Sequence, residues 1–129
     1  MIPQSAAVPY RIDERRGVLV MLVTSRTRRR WIIPKGKIGS RVLASRSAER
    51  EAFEEAGVIG RLNKTPIGVY RQAAALNFDP PGDIEVQTYA LEVLAELPVW
   101  QEMDVRERRW FTIMDAIKIV GDPEISAIL

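Results

Sequence analysis

The sequence predicts an α/β fold, a mixed β-sheet lying between helices. Three observations predict it. Strands are mixed with two helices instead of alternating strictly with them, as repeated βαβ units would require. Gly17 to Thr24, with its run Val18-Leu19-Val20-Met21-Leu22-Val23, is apolar on both faces, so it belongs at the centre of a covered sheet. The 129 residues suit one domain spanning 1–129, large enough to bury a core without staples.

Each element has its own signal. Ala6 to Ile12 and Gly17 to Thr24 read as two strands joined at Asp13 to Arg16. Trp31-Ile32-Ile33 is a short strand that Pro34 stops, followed by a Gly-containing loop from Lys35 to Arg41. From Leu43 to Ala56 the pattern turns helical, and Gly57 ends it as a C-cap would. Ile67 to Ala75 and Ile84 to Leu94 flank Asp79-Pro80-Pro81-Gly82-Asp83, a turn signal, and so form a hairpin. Trp110-Phe111 is a short β piece. Met114 to Val120 is a helix with Asp115 in its first turn, and Pro123 to Leu129 a closing helical turn.

Composition narrows the chemistry before any motif is found. With no Cys and no His, thiol catalysis, disulfides, Cys-ligated zinc and every His-based site are excluded. Catalysis must come from carboxylates, Arg, Lys and hydroxyls. Of the 19 basic residues, 15 are Arg and 4 are Lys, and Arg offers a planar fork that grips phosphate oxygens in pairs. They cluster at Arg26, Arg28, Arg29 and Arg30 and again at Arg106, Arg108 and Arg109, each group just before an aromatic residue. These clusters read either as solvated loops or as phosphate-facing edges. No apolar run approaches the roughly 18 residues of a membrane span, and the first eleven residues lack a secretory pattern. A cytoplasmic protein with no membrane partner is therefore expected.

The helix from Leu43 to Ala56 carries the most information. Ala48, Ala52 and Ala56 fall in one line, which lets the helix approach a sheet closely, and Phe53 extends that stripe. Glu51, Glu54 and Glu55 share the neighbouring arc. Like charges at these spacings repel, so the cluster is either a solvated charged face or the seat of a hard divalent cation, magnesium or manganese.

The larger pattern favours the second reading. Gly36, thirteen residues, then Arg50-Glu51-Ala52-Phe53-Glu54-Glu55-Ala56-Gly57-Val58 resembles the Nudix box, G-x5-E-x7-R-E-U-x-E-E-x-G-U with U aliphatic. Gly36, Arg50, Glu51, Glu54, Glu55 and Gly57 match, on the order of one chance in 10⁵ for a chain of this size. Arg30-Trp31-Ile32-Ile33-Pro34-Lys35-Gly36, and Trp100 with Arg106-Glu107-Arg108-Arg109-Trp110-Phe111 and Asp115-Ala116, are similar to the branch that hydrolyses diphosphoinositol and diadenosine polyphosphates. The resemblance runs from about Val18 to Val120 and implies the Nudix α/β/α sandwich. Two positions depart from the box. Val42 stands where the first Glu belongs, preceded by Arg41 in place of Gly, and Ala52 replaces a larger aliphatic residue.

What the resemblance implies is magnesium-dependent hydrolysis of a pyrophosphate bond in a polyphosphorylated small molecule. Glu51 and Glu55 are the expected principal metal ligands, Glu54 a third ligand or the general base, and the peptide around Gly36 completes the metal shell. Arg50 lies one turn from Glu54 and is placed to orient the carboxylates. Arg26 and Arg106 fall where the branch has basic residues facing polyphosphate, with Arg30, Lys37 and Arg41 as further substrate contacts. Trp31 and Trp110 either stack on a base or pack in the core. The competing reading is a Nudix-fold module that, lacking the first Glu, binds nucleotide or inositol phosphates without efficient turnover. The net charge of +2 and 7% aromatic content argue against nucleic acid as the partner, and the oligomeric state is left open.

Overall fold

The computed structural model describes residues 2–72 and 82–129. In chain order the elements are β1 (Ile2–Asp13), β2 (Gly17–Thr24), β3 (Trp31–Ile32), β4 (Lys35–Lys37), α1 (Ala44–Glu51), a π-helical turn (Ala52–Ala56), β5 (Val58–Leu62), β6 (Gly68–Gln72), β7 (Ile84–Glu96), β8 (Arg108–Thr112), α2 (Ile113–Val120) and α3 (Pro123–Ile128). The strands form one sheet with the spine β3-β2-β1-β7-β5, while β4 pairs with β1, β6 with β7 and β8 with β2. The β1–β7 pairing is parallel and the others antiparallel, which makes the sheet mixed.

The central strands are buried on both faces because they separate two cores. On one side Ala6, Val8, Val20, Leu22 and Val86 pack against Ala116 of α2 and Ile125 of α3. On the other, Ala7, Met21, Val23, Tyr89 and Leu91 pack against Ala48, Ala52 and Ala56. Successive residues such as Ala6 and Ala7, or Leu22 and Val23, alternate between the cores as the two-residue strand period requires. This is the α/β/α layering expected from the sequence. No helix among the described residues is long and apolar enough to cross a membrane.

Local chemistry sets the joints. The Asp13 carboxylate accepts the amides of Arg15 and Arg16, both at 2.9 Å, and Gly17 at φ +76° completes the turn into β2. Thr112 Oγ1 accepts the Asp115 amide at 3.2 Å and caps α2, and Asp122 does the same for α3 through the Glu124 amide at 2.9 Å.

Several expectations are corrected. Lys35 to Lys37, expected in a loop, is strand β4, because Gln4, Ser5 and Ala6 offer it a free edge of β1. β1 itself begins at Ile2, not Ala6, held there by its parallel pairing from Ile2↔Ile84 onward. β5 was not expected at all: five residues interrupted by Gly60 carry too little pattern, and its pairing with β7 makes it a strand. The expected α-helix from Leu43 to Ala56 is α-helical only to Glu51 and then widens into the π turn. The expected strand Ile67 to Ala75 is observed as Gly68–Gln72; its last three residues, and Asp79-Pro80-Pro81 of the expected turn, lie outside the described residues.

Gly60 marks where β5 and β7 approach most closely. A Cβ there would collide with the Glu92 carbonyl of the partner strand, beside the register shift between Ile59 and Gly60. Gly60→Ala is therefore expected to destabilise the domain by about 2–3 kcal/mol, measured by urea denaturation.

Candidate active site

Three alanines bring the carboxylates to the sheet. Ala48, Ala52 and Ala56 are each 0% exposed, and the close approach they permit lowers the neighbouring arc of the helix onto β4. There it meets Gly36, where any Cβ would collide with the Glu51 carboxylate. The glycine leaves room for an approaching acid, and a side chain there would push the Glu51 carboxylate aside.

Glu55 lies deepest, at 4% exposure. Its Oε1 accepts the Lys35 amide at 3.3 Å and its Oε2 lies 3.5 Å from Arg106 Nη2. Burial pushes the Glu55 carboxyl up to about 8, its hydrogen bond to Glu51 adds to the rise, and Arg106 opposes it. Burial likewise raises Glu51. Two carboxyl groups sharing a proton is the expected ground state of such a pair at neutral pH. Burial also lowers the Lys35 ammonium, which donates to Gln4 Oε1 at 3.0 Å.

Glu54 lies on the more open side of the pair, close enough for its charge to raise Glu51. Its Oε2 is 3.8 Å from Arg50 Nε at the exposed side of the helix, so Glu51 and Glu55 are brought together and Glu54 is paired with Arg50. Among the described residues no three acidic side chains converge as a ready-made metal cage. The pair still fits magnesium, which is commonly held by one or two carboxylates while waters and substrate phosphates fill the remaining positions. The donor set is hard oxygen throughout.

Arg106 is placed otherwise than expected. Its side chain is 8% exposed, with Nε on Glu102 Oε1 at 2.8 Å, Nη1 on the Thr24 carbonyl at 2.9 Å and Nη2 toward Glu55. Each of its three nitrogens faces a group of the protein, which places it beside the carboxylates and not at the exposed mouth with the other candidate cations. Arg26 and Arg30 are exposed in the β2–β3 loop, which the Ser25 amide closes onto the Arg30 carbonyl at 2.7 Å. Lys37 is exposed at the end of β4. Arg41 is exposed with φ +60°, a left-handed conformation that favours glycine, and Val42 beside it is 36% exposed. Trp31 packs edge-on against Phe111 at 5.1 Å, and Trp110 packs into the core beside α1, so both tryptophans are structural in this arrangement.

Residues outside the box motif hold the helix end. The carbonyls of Glu54, Glu55, Ala56 and Gly57 accept, in order, the Glu102 amide at 3.1 Å, Trp100 Nε1 at 3.0 Å, Arg108 Nη1 at 2.9 Å and the Leu97 amide at 2.8 Å. The Arg108 guanidinium also lies 3.9 Å from the Trp100 ring centroid and donates to the Leu97 carbonyl at 2.7 Å. Trp100 and Arg108 had been noted only for spacing and charge. A cleft of about 480 Å³ lined by Arg50, Phe53, Val58 and Ile59 runs along the same helix, but none of the three glutamates lines it.

A mixed sheet between helices, with a buried and a half-buried acid set against the β4 glycine, defines an α/β/α domain built around an acidic helix. The chain matches the NUDIX domain over residues 1–127 and belongs to that family. It is 32% identical over 131 residues to Nudix hydrolase 13, mitochondrial, of Arabidopsis thaliana, covering 89% of this chain and 65% of the relative. It is 36% identical over 110 residues to diphosphoinositol polyphosphate phosphohydrolase 3-alpha of Homo sapiens, covering 84% of this chain and 63% of the relative. The chain thus spans just under two thirds of the length of these relatives. In fold it is similar to a C. elegans Ap4A hydrolase binary complex, with a TM-score of 0.72 at 19% identity over 99% of this chain and 92% of that one. It is also similar to a NUDIX hydrolase from Nitrosomonas europaea, with a TM-score of 0.76 at 18% identity over 98% and 84%.

Two outcomes follow from the geometry. Glu55 binds its proton more tightly when folded than its ordinary value of 4.5 allows, so the stability it contributes is present below that value and lost as pH rises through about 8. Without metal, the melting temperature is expected to fall by several degrees between pH 5 and 8.5, and Glu55→Gln to flatten the fall. Arg108→Ala leaves buried carbonyls without donors and is expected to cost about 2–3 kcal/mol in urea denaturation.

Proposed function

We propose that the domain hydrolyses a pyrophosphate bond in a polyphosphorylated small molecule, of the diphosphoinositol or dinucleoside polyphosphate type, with magnesium as cofactor and manganese as a substitute. The observation that carries this reading is the pairing of buried Glu55 with half-buried Glu51, which closes over Gly36. Both acids and the Gly36 peptide are the groups that would hold the ion. When bound, it supplies charge neutralisation at the pyrophosphate and acidifies water.

The chain's own residues do the rest. Arg106 balances Glu55, so that ionising the pair does not leave two bare charges side by side. Glu54, accessible and oriented by Arg50, is our assignment for the base that accepts the water's proton. Arg26, Arg30, Lys37 and Arg41 present exposed cations to the phosphate chain. The names of the relatives, which include phosphohydrolases of diphosphoinositol polyphosphates and an Ap4A hydrolase, support the substrate type.

One observation favours the second reading, a binding module with little turnover: the box position of the first Glu holds Val42, beside the left-handed Arg41. A product assay with magnesium on diadenosine tetraphosphate, a diphosphoinositol phosphate, ADP-ribose and nucleoside triphosphates separates the two. Turnover of at least one, reduced about 100-fold or more in Glu55→Gln, is expected; no magnesium-dependent turnover on the whole panel would sink the hydrolase reading. Val42→Glu is expected to raise the rate by about 10-fold, and an unchanged rate would show that another group already fills that role.

A further inference from the structure

A groove lies between the acidic helix and β5, and none of Gly36, Glu51, Glu54 and Glu55 lines it. Its two parts, of about 480 Å³ and about 330 Å³, share Arg46 and Glu49 as a common wall and so form one channel. Phe53 faces Val58 and Ile59 at one end, and Leu43 faces Leu62 and Lys64 at the other. Helix and strand therefore run antiparallel along it. The helix from Leu43 to Phe53 covers roughly 15 Å, the length of an extended chain of about five residues.

The strand side of the groove is a sheet edge. Among the described residues β5 pairs with β7 alone. The Asn63 amide donates to the Ala90 carbonyl at 3.0 Å, so by the alternation of an antiparallel ladder the amide and carbonyl of Leu62 point away from β7. Leu62 lines the groove, and its backbone groups border it. A groove between a helix and an open strand edge takes an extended chain as an added strand, with main-chain hydrogen bonds for affinity and side-chain pockets for choice.

Charge decides which chain. Arg46, Arg50 and Lys64 line the groove against one acid, Glu49, which Arg46 already meets at 3.4 Å. Arg61 adds an exposed cation on the strand itself. A second copy laid along β5 would set these cations against their own counterparts, and charges on an edge strand oppose such pairing. A nucleic acid would answer the cations, but its backbone offers no strand to the Leu62 peptide. Apolar side chains stand exposed at both ends of the groove, Leu43 at one and Phe53 with Ile59 at the other, with the cations between them.

We propose that this groove binds an extended acidic segment of a partner protein, which adds to the edge of β5. Residues i, i+2 and i+4 of a strand share one face. The segment therefore carries apolar residues at i and i+4, for the two apolar ends, and an acid at i+2, for Arg46 and Arg50. The proposal is independent of what the helix's carboxylates catalyse.

Fluorescence anisotropy with labelled synthetic peptides of about nine residues tests it. The first probe has leucine at i and i+4, glutamate at i+2 and threonine elsewhere; the second has lysine at i+2; the third repeats the first with methylated backbone amides, which cannot pair with a strand edge. Wild type is expected to bind the glutamate probe at least about 10-fold more tightly than the lysine probe, with affinity falling as salt rises. Arg46→Glu combined with Lys64→Glu is expected to reverse that order, a result that loss of folding does not produce. Methylation is expected to weaken binding about 10-fold. Absence of saturable binding of the glutamate probe, indifference to the exchange of charges, or equal binding of the methylated probe overturns the proposal. An oligouridylate that competes for the groove as tightly as the glutamate probe overturns it too, and so does a wild-type dimer in sedimentation that Ile59→Glu splits, since the occupant would then be a nucleic acid or a second copy.

Discussion

Four consecutive peptide carbonyls at the end of the acidic helix, from Glu54 to Gly57, hang on donors supplied by residues 97 to 108. A helix ordinarily leaves its last carbonyls to water or to a cap of its own. Here a distant segment takes them, and the arrangement lets the last turn open to π geometry without losing its bonds. Gly57, at φ +66°, is the point where the chain leaves the helix, and a side chain there would strike Arg108 and Trp100. The direction of Glu55 follows from this anchoring. Its carbonyl is held by Trp100 from outside while its side chain is driven inward toward Lys35 and Arg106.

Burying an acid pair is costly, and the structure offsets the cost in two ways. One is the rise of both carboxyls that burial drives, which favours the neutral form; the other is the Arg106 guanidinium, itself fixed by Glu102 and the Thr24 carbonyl. The planar fork of Arg suits that task, since three nitrogens reach three different acceptors in fixed directions, which a lysine ammonium on a flexible stem does less well. Part of the Arg excess therefore belongs to the interior. Arg106 and Arg108 work on carboxylates and carbonyls, while Arg26 and Arg30 are at the surface.

How far the sequence foretold this depends on the range over which each feature is encoded. The two-faced burial of β2 and the small-residue stripe of the helix are local patterns, and both were legible. Glu51, Glu54, Glu55 and Gly36 were legible as a motif. β4 and β5 were not, because a strand of three or five residues containing a glycine exists only through the edge it pairs with. The π turn is invisible for a similar reason: its stabilising donors lie some fifty residues away. Arg106 was found by position and misassigned in role, since a charge count does not reveal that the charge is buried against Glu55.

The early start of β1 links these observations. Its first residues, before the apolar stretch that marks the strand, pair on one side with β4 and on the other with β7. The first pairing sets Gly36 under Glu51; the second locks β1 to its parallel neighbour β7. A strand beginning at Ala6 would pair with Lys35 alone and leave Gly36 without its partner. Pro3, Gln4 and Ser5 contribute little apolar surface to either core, and Ser5 buries a hydroxyl with no hydrogen-bond partner among the described residues. Their place in the sheet is explained less by packing than by register, because a shift of one residue along β1 would move Gly36 out from under Glu51.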